Sequence, residues 1–322
     1  MSPEELPEFS TFEELSAIVG GLWNEGQPQR AIEILERAKD RFPDRQYDMI
    51  FSLGYSYLLI GDHENALLVL EEGLESGFWF VFPLETPVIR PLVGLPRFQR
   101  IVAESERMRG EAQAQCKPRS DVVTPEGYSS ESQYPLFIAL HGWGETNQVF
   151  MEYWTSDLLR TDFLAAFMES SQLVKMDGGR GWDNVTLGRE EITRLYHDLT
   201  NLYPIDETRI VMGGFSQGGR MAVDIAIGGV LPVSGFAVLC PGGGIPKSLT
   251  PEGLQRAQDE GLRGTILTGE HDPDLPDQKQ MTRMFDDGGL DARLVVNAGL
   301  GHWFPENFGE QLDRAIRHVF EK

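Results

Sequence analysis

From residue 135 to residue 299 the chain repeats one pattern: a short, almost continuous apolar run ending in glycine or a turn residue, then a stretch with helical spacing. The runs are "PLFIALHG" (135–142), "FLAAFMES" (163–170), "RIVMGGF" (209–215), "SGFAVLC" (234–240), "GTILTGE" (264–270) and "ARLVVNAG" (292–299). Runs without polar alternation predict strands buried on both faces. Between them, Ile192, Leu195, Tyr196, Leu199, Leu202 and Tyr203 recur at three- and four-residue spacings, and Leu312, Ile316 and Phe320 near the end fall four apart. Each set makes one apolar helical stripe. Strands alternating with helices predict an α/β domain over 115–322 with a mainly parallel sheet, and place functional groups at the carboxyl ends of the strands.

At one of those ends stands "MGGFSQGGRM" (212–221), with Ser216 between a strand and the helical pattern that follows. Strand, G-x-S-x-G, helix is the context of a nucleophile elbow. A serine on so sharp a turn lifts its hydroxyl above the sheet edge, and Gly214 and Gly218 leave room where side chains would collide with the neighbouring strand and helix. A phosphate-binding loop is excluded, because no lysine follows the glycines and the spacing is not G-x-G-x-x-G. The motif alone is also compatible with a plain turn, so its meaning depends on partners.

A serine hydroxyl needs a base to take its proton and a third group to orient that base. After "GTILTGE" comes "HDPDLP", and after "ARLVVNAG" comes "LGHWFP". His302, in a loop at a strand end, is the expected base; His318 falls inside the last helix, where a solvated face is its expected place. Asp272 is the expected acid, with Asp274 in reserve. The order Ser, Asp, His is that of a hydrolase built on a parallel sheet. "LHGWGE" (140–145) follows the strand expected to lie beside the elbow strand, so the backbone N–H groups of Trp143 and Gln217 are the expected oxyanion donors. His141 is read as structural. A metal site from His271, Asp272 and Asp274 lacks any accompanying His or Cys cluster, and neither metal nor organic cofactor is expected. Of the aromatic residues Phe150, Tyr153, Trp154, Trp182 and Trp303, at least half are expected in the core; Trp154, Trp182 and Trp303 are the candidates for lining a substrate cleft.

"LHGWGE", "GFSQGGRMA", "GEHDPDLP" and "GLGHWFP" together resemble the α/β-hydrolase superfamily, and within it the phospholipase/carboxylesterase group that includes acyl-protein thioesterases. The resemblance covers about the last two-thirds of the chain. It implies Ser216 as nucleophile, Asp272 as acid, His302 as base, and Trp143 with Gln217 as oxyanion hole. It also implies a serine hydrolase that cleaves carboxylic esters or thioesters through an acyl-enzyme. Trp143 departs from the leucine or glycine of many relatives, and Asp274 and Trp303 are local differences, so the substrate class stays open. Two alternatives remain: a serine peptidase of the same fold, and a catalytically weak, repeat-based protein-binding module.

The second alternative comes from the N-terminal part. "AIEILERA" (31–38) returns as "ALLVLEEG" (66–73), an offset of 35 residues, close to the period of about 34 of stacked helical hairpins. Ala31 matches Ala66, Leu35 matches Leu70, and Ala38 matches Gly73. Residues 46–77 resemble tetratricopeptide repeats, as do 12–43 with Val19 where a small residue belongs. The expectation is a small all-α domain over 10–110, which either recruits a protein partner or stabilises its neighbour. The segment 108–133 reads as polar and turn-rich.

Charge narrows the partners. With 28 Lys and Arg against 50 Asp and Glu, the formal net charge is −22. A field of that sign repels phosphate backbones and anionic lipid, so nucleic acid is not an expected partner. No apolar stretch approaches the roughly 20 residues of a membrane span. The start "MSPEELPEFS" lacks the pattern of a signal peptide, and two cysteines make no disulfide framework; a cytoplasmic location is the expectation.

Overall fold

The computed structural model describes residues 7–321. The chain divides between Ala114 and Gln115 into two compact units.

The first unit is helical: α1 (Phe12–Asn24), α2 (Pro28–Ala38), α3 (Gln46–Leu59), α4 (His63–Glu75) and α5 (Pro96–Gln113), each packed on the next. Thr11 opens α1 with a reciprocal capping box to Glu14, and Asp62 opens α4 by accepting the Asn65 N–H at 3.1 Å. These caps satisfy amide groups that the helix itself leaves free. The matched positions are core: Ala31, Ala38 and Ala66 are fully buried, with Leu35 and Leu70 beside them. Gly73 stands where Ala38 does because a Cβ there would lie 2.6 Å from the Phe80 ring. The aromatic stretch after α4 closes this unit, with Phe80, Ile89 and Leu92 packed among Leu67, Leu70 and Phe98. The long helix α5 occupies residues where the sequence offered no clean apolar stripe.

The second unit contains β1 (Arg119–Val123), β2 (Tyr134–Leu140), α6 (Asn147–Phe150), α7 (Asp157–Thr161), β3 (Leu164–Glu169), α8 (Val185–Leu202), β4 (Ile205–Phe215), α9 (Gln217–Gly228), β5 (Gly235–Leu239), α10 (Pro251–Asp259), β6 (Arg263–Gly269), α11 (Leu275–Asp287), β7 (Ala292–Asn297) and α12 (Phe308–Phe320). Its seven strands run in the order β1-β3-β2-β4-β5-β6-β7. All neighbours are parallel except β1, which pairs antiparallel with β3. β1 lies within the segment read as polar and turn-rich. It is an edge strand with only partial burial, so its sequence carries no apolar run.

Because side chains alternate across a strand, Leu136, Ile138 and Leu140 face one core and Phe137 and Ala139 the other. The first core is closed by α8 to α11, where Ile192, Leu195, Tyr196 and Leu199 are buried as their spacing requires and Tyr203 packs against them partly buried; Leu202, of the same stripe, is exposed. The second is closed by α12 through Leu312 and Ile316. His318 departs from the solvated position expected of it. It is buried in α12, with Nδ1 3.2 Å from Glu321 Oε2. No described helix is long and apolar enough to cross a membrane.

Candidate active site

Strand register sets the site. Leu140 pairs with Gly214, Phe215 with Leu239, Leu239 with Leu267, and Gly269 with Asn297. The loops that follow β2, β4, β5, β6 and β7 therefore emerge at one end of the sheet.

Ser216 joins β4 to α9 with φ 54° and ψ −120°, one of two non-glycine residues with positive φ among those described. Such a conformation costs about 1–3 kcal/mol and persists only where its surroundings fix it. Here the Ser216 N–H donates to Leu239 O, and its carbonyl accepts from the N–H groups of Gly242 and Arg220, all at 3.0 Å. The close approach explains the flanking glycines. A Cβ at Gly214 would lie 2.6 Å from the Gly218 carbonyl, and one at Gly218 would lie 2.2 Å from Leu140 O.

His302 and Asp272 are brought together: His302 Nδ1 lies 2.9 Å from Asp272 Oδ1. A carboxylate only accepts, so Nδ1 carries the proton and Nε2 is left as the basic nitrogen. Asp274 Oδ2 is farther from the same nitrogen, at 3.9 Å. Burial works against charge on His302, but the hydrogen bond to Asp272 and the charges of Asp272, Asp274 and Glu145 outweigh it and raise its pKa above the ordinary value. Burial also works against the Asp272 carboxylate. The bonds from His302, the Asp274 N–H and Gln278 prevail and hold it well below the usual carboxylate range. Ser216 and His302 share two neighbours. The Phe215 ring lies 5.1 Å from the imidazole, and Gly242, whose N–H holds Ser216, would with a Cβ be 3.4 Å from His302 Cε1.

The amide of Gln217 stands in the first turn of α9, where helices leave N–H groups without internal acceptors. Trp143 is near it: a Cβ on Gly181 would touch Trp143 Cδ1 and Gln217 Oε1, each at 3.2 Å. The loop bearing Trp143 is fixed from within. Glu145 Oε2 accepts the Gly142 N–H at 2.7 Å, and Glu145 and Arg180 bridge backbone to backbone. His141 is fully buried, and burial drives its pKa down to about 4. It is thus neutral, donating from Nδ1 to Gly142 O at 2.8 Å and accepting the Ser170 N–H at Nε2.

The aromatic candidates divide. Trp303 is 48% exposed and packs edge-on to Tyr153, itself partly exposed. Trp182 does not line an open cleft, and that expectation is corrected; Trp154 is nearly buried, and the pocket it borders, with Met151, Leu159 and Asp313, includes none of Ser216, Asp272 and His302. Trp182 is wholly buried because its indole N–H finds an internal acceptor, His141 O, at 3.0 Å. Trp154 is enclosed by Phe137, Phe150 and Phe308.

Several supporting residues escaped sequence reading. Thr268 and Gln278 both donate to Asp272 Oδ2, at 3.0 and 3.1 Å. The Gln217 side chain accepts the Trp182 N–H and donates to Asp183, both at 2.7 Å. None belongs to a motif; only the fold brings them to their partners. Cys240 is another. Its sulfur, an Asp272 oxygen and a His302 nitrogen lie within 4.8 Å of one another, donor types that suit a soft divalent ion. Burial pushes the Cys240 thiol pKa up, so beside Asp272 the sulfur is an uncharged thiol.

The mainly parallel seven-stranded sheet, with a positive-φ serine between strand and helix at its carboxyl edge, fits an α/β-hydrolase fold. No family model matches the chain, and no curated protein matches it. Among solved structures, it is similar to an uncharacterised protein from Bacillus cereus, with a TM-score of 0.54 and 23% identity over 96% of this chain and 99% of that one. Esterase PE8 aligns with a TM-score of 0.49 and 18% identity over 63% of this chain and 98% of its own. A Bacillus cereus carboxylesterase gives 0.45 and 13% over 66% and 98%. At these identities the likeness concerns the fold alone.

Proposed function

We propose that this chain is a serine hydrolase of carboxylic esters or thioesters, with Ser216 as nucleophile, His302 as base and Asp272 as its orienting acid. The observation that carries this reading is the pairing of a positive-φ serine with the Asp272–His302 hydrogen bond at the same sheet edge. In the proposed reaction Ser216 Oγ bonds to the acyl carbon while its proton passes to His302 Nε2. The N–H groups of Trp143 and Gln217 hold the oxyanion, each contributing about 2.7–4 kcal/mol to lowering the barrier. Collapse breaks the carbon–oxygen or carbon–sulfur bond, and His302 protonates the departing alcohol or thiol. Water then attacks the acyl-enzyme, giving a proton to His302, and release of the acid returns that proton to Ser216. Trp303, Tyr153 and Trp143, all part-exposed, would provide the apolar surface for the acyl or alcohol part.

The helical unit reads as tetratricopeptide-like, with the domain limits expected from the sequence. We propose that it recruits a protein partner in the cytoplasm. Phe51, 41% exposed and stacked in series with Tyr47 and Tyr55 along α3, favours a binding role.

The test is turnover of p-nitrophenyl esters by wild type and Ser216→Ala, with a fluorophosphonate probe as an independent label. Turnover lost by about 10³-fold or more, and labelling abolished, are expected for loss of an activated nucleophile. Equal rates in the two proteins would refute the assignment. Cleavage of short peptides in preference to esters would favour the peptidase alternative.

A further inference from the structure

Arg220 stands one turn into α9, four residues after Ser216, and is only partly exposed. Its Nε is fully shielded and has no hydrogen-bond partner among the described residues. The carboxylates whose charges reach it are already engaged. Asp224 is 2.6 Å from Arg189 and accepts the Ser248 N–H, and Asp183 accepts from the Gln217 side chain. Arg220 Nε lies 3.6 Å from the place a Cβ would take on Gly243, next to Gly242, whose N–H holds the Ser216 carbonyl. The guanidinium therefore lies beside the loop after β5, on the first turn of the helix that follows Ser216.

A second cation approaches from the other side. Lys175 crosses Gly144, where a Cβ would lie 2.4 Å from its Cε, and its ammonium is 5.6 Å from the centre of the Trp143 ring. A half-buried cation without a carboxylate in contact is costly, and burial weakens the charged form of Arg220 against the more distant charges of Asp224 and Asp183. In a chain of net charge −22, acids to pair with these cations are abundant. Neither makes an ion pair within 4 Å among the described residues, although the charge of Glu145 reaches Lys175 as those of Asp224 and Asp183 reach Arg220, and cations left without a contacting carboxylate are what recognition of an anion would require.

We infer that the substrate is an anionic ester, carrying a carboxylate on its acyl or its alcohol part that Arg220 recognises, with Lys175 adding to the positive field around it. This inference rests on the hydrolase reading above and adds the substrate's charge to it.

The test uses the full chain and matched substrates that differ only in charge. On the acyl side these are p-nitrophenyl hemiglutarate and its methyl ester; on the alcohol side, 4-acetoxybenzoate and methyl 4-acetoxybenzoate. The quantity read is the ratio of kcat/KM for anion over neutral partner, which does not depend on the fraction of active protein. In at least one pair the wild type is expected to favour the anion about tenfold, equivalent to about 1.4 kcal/mol. Arg220→Gln should remove most of that ratio, Arg220→Lys should keep part of it, and added salt should lower it. The pair that shows the preference identifies which part of the ester bears the charge. A wild-type ratio near one in both pairs, or a preference that survives Arg220→Gln combined with Lys175→Gln, overturns the inference and leaves the nucleophile untouched. Undiminished turnover of all four esters by Ser216→Ala would instead bring down the hydrolase reading, and this inference with it.

Discussion

His302 is held between opposing influences, burial against charge and three carboxylates in favour of it, and the carboxylates win. If its neutral ring is the base, kcat/KM rises as pH climbs through its pKa, so the acid limb lies above the ordinary histidine value. Asp274→Asn removes one of the negative charges, 3.9 Å away, while keeping the backbone N–H that donates to Asp272 at 2.8 Å. Loss of that charge lowers the pKa of His302, and the acid limb of the pH profile should move to lower pH. A limb that stays in place or moves upward would show that Asp274 does not act on the base. Sequence reading ranked Asp272 ahead of Asp274 from position alone; the geometry supplies the reason, a hydrogen bond against a longer charge contact.

At the scale of elements, the loop after β2 shows how a segment without regular structure is kept in one shape. Gly142 N–H is fixed by Glu145, Gly142 O by His141, and His141 O by Trp182. Glu145→Ala leaves the Gly142 amide without its acceptor, at a cost of about 1–3 kcal/mol. Because this loop carries Trp143, kcat should fall by about tenfold or more with KM changing much less, the mark of an interaction made only in the transition state. Glu145→Gln, which still offers an oxygen to Gly142, should recover most of the rate. A drop in Tm without any drop in kcat would confine Glu145 to stability.

For the whole molecule, the cores are separate. Buried residues of the helical unit cluster with one another, and those of the sheet unit with one another. Leu70→Ala, deep in the helical unit, should cost about 2–5 kcal/mol there. Calorimetry should register that loss while kcat/KM on small esters in the native range stays within about twofold. Activity falling in step with the helical transition would mean that the two units unfold as one.

Six of the seven strands were legible, β2 to β6 because buried parallel strands must be nearly all apolar and β7, a half-exposed edge strand and not the doubly buried one expected, because residues 294–296 are apolar all the same. The elbow was legible because so tight a turn admits little but glycine beside Ser216. The order Ser, Asp, His was legible since each residue closes a strand. β1 was hidden, as an edge strand is not forced to be apolar, and α5 was hidden because its apolar positions are few. Trp154 and Trp182 look no different in sequence from Trp303. A tryptophan goes inside or outside according to what packs on it, which segments far away in the chain decide: Trp182 also finds an acceptor for its indole N–H in His141 O, whereas that of Trp154 has none among the described residues. Arg220 and Lys175 are likewise ordinary in sequence. That neither makes an ion pair with a described carboxylate depends on where the neighbouring carboxylates have been committed, and only the tertiary structure decides that.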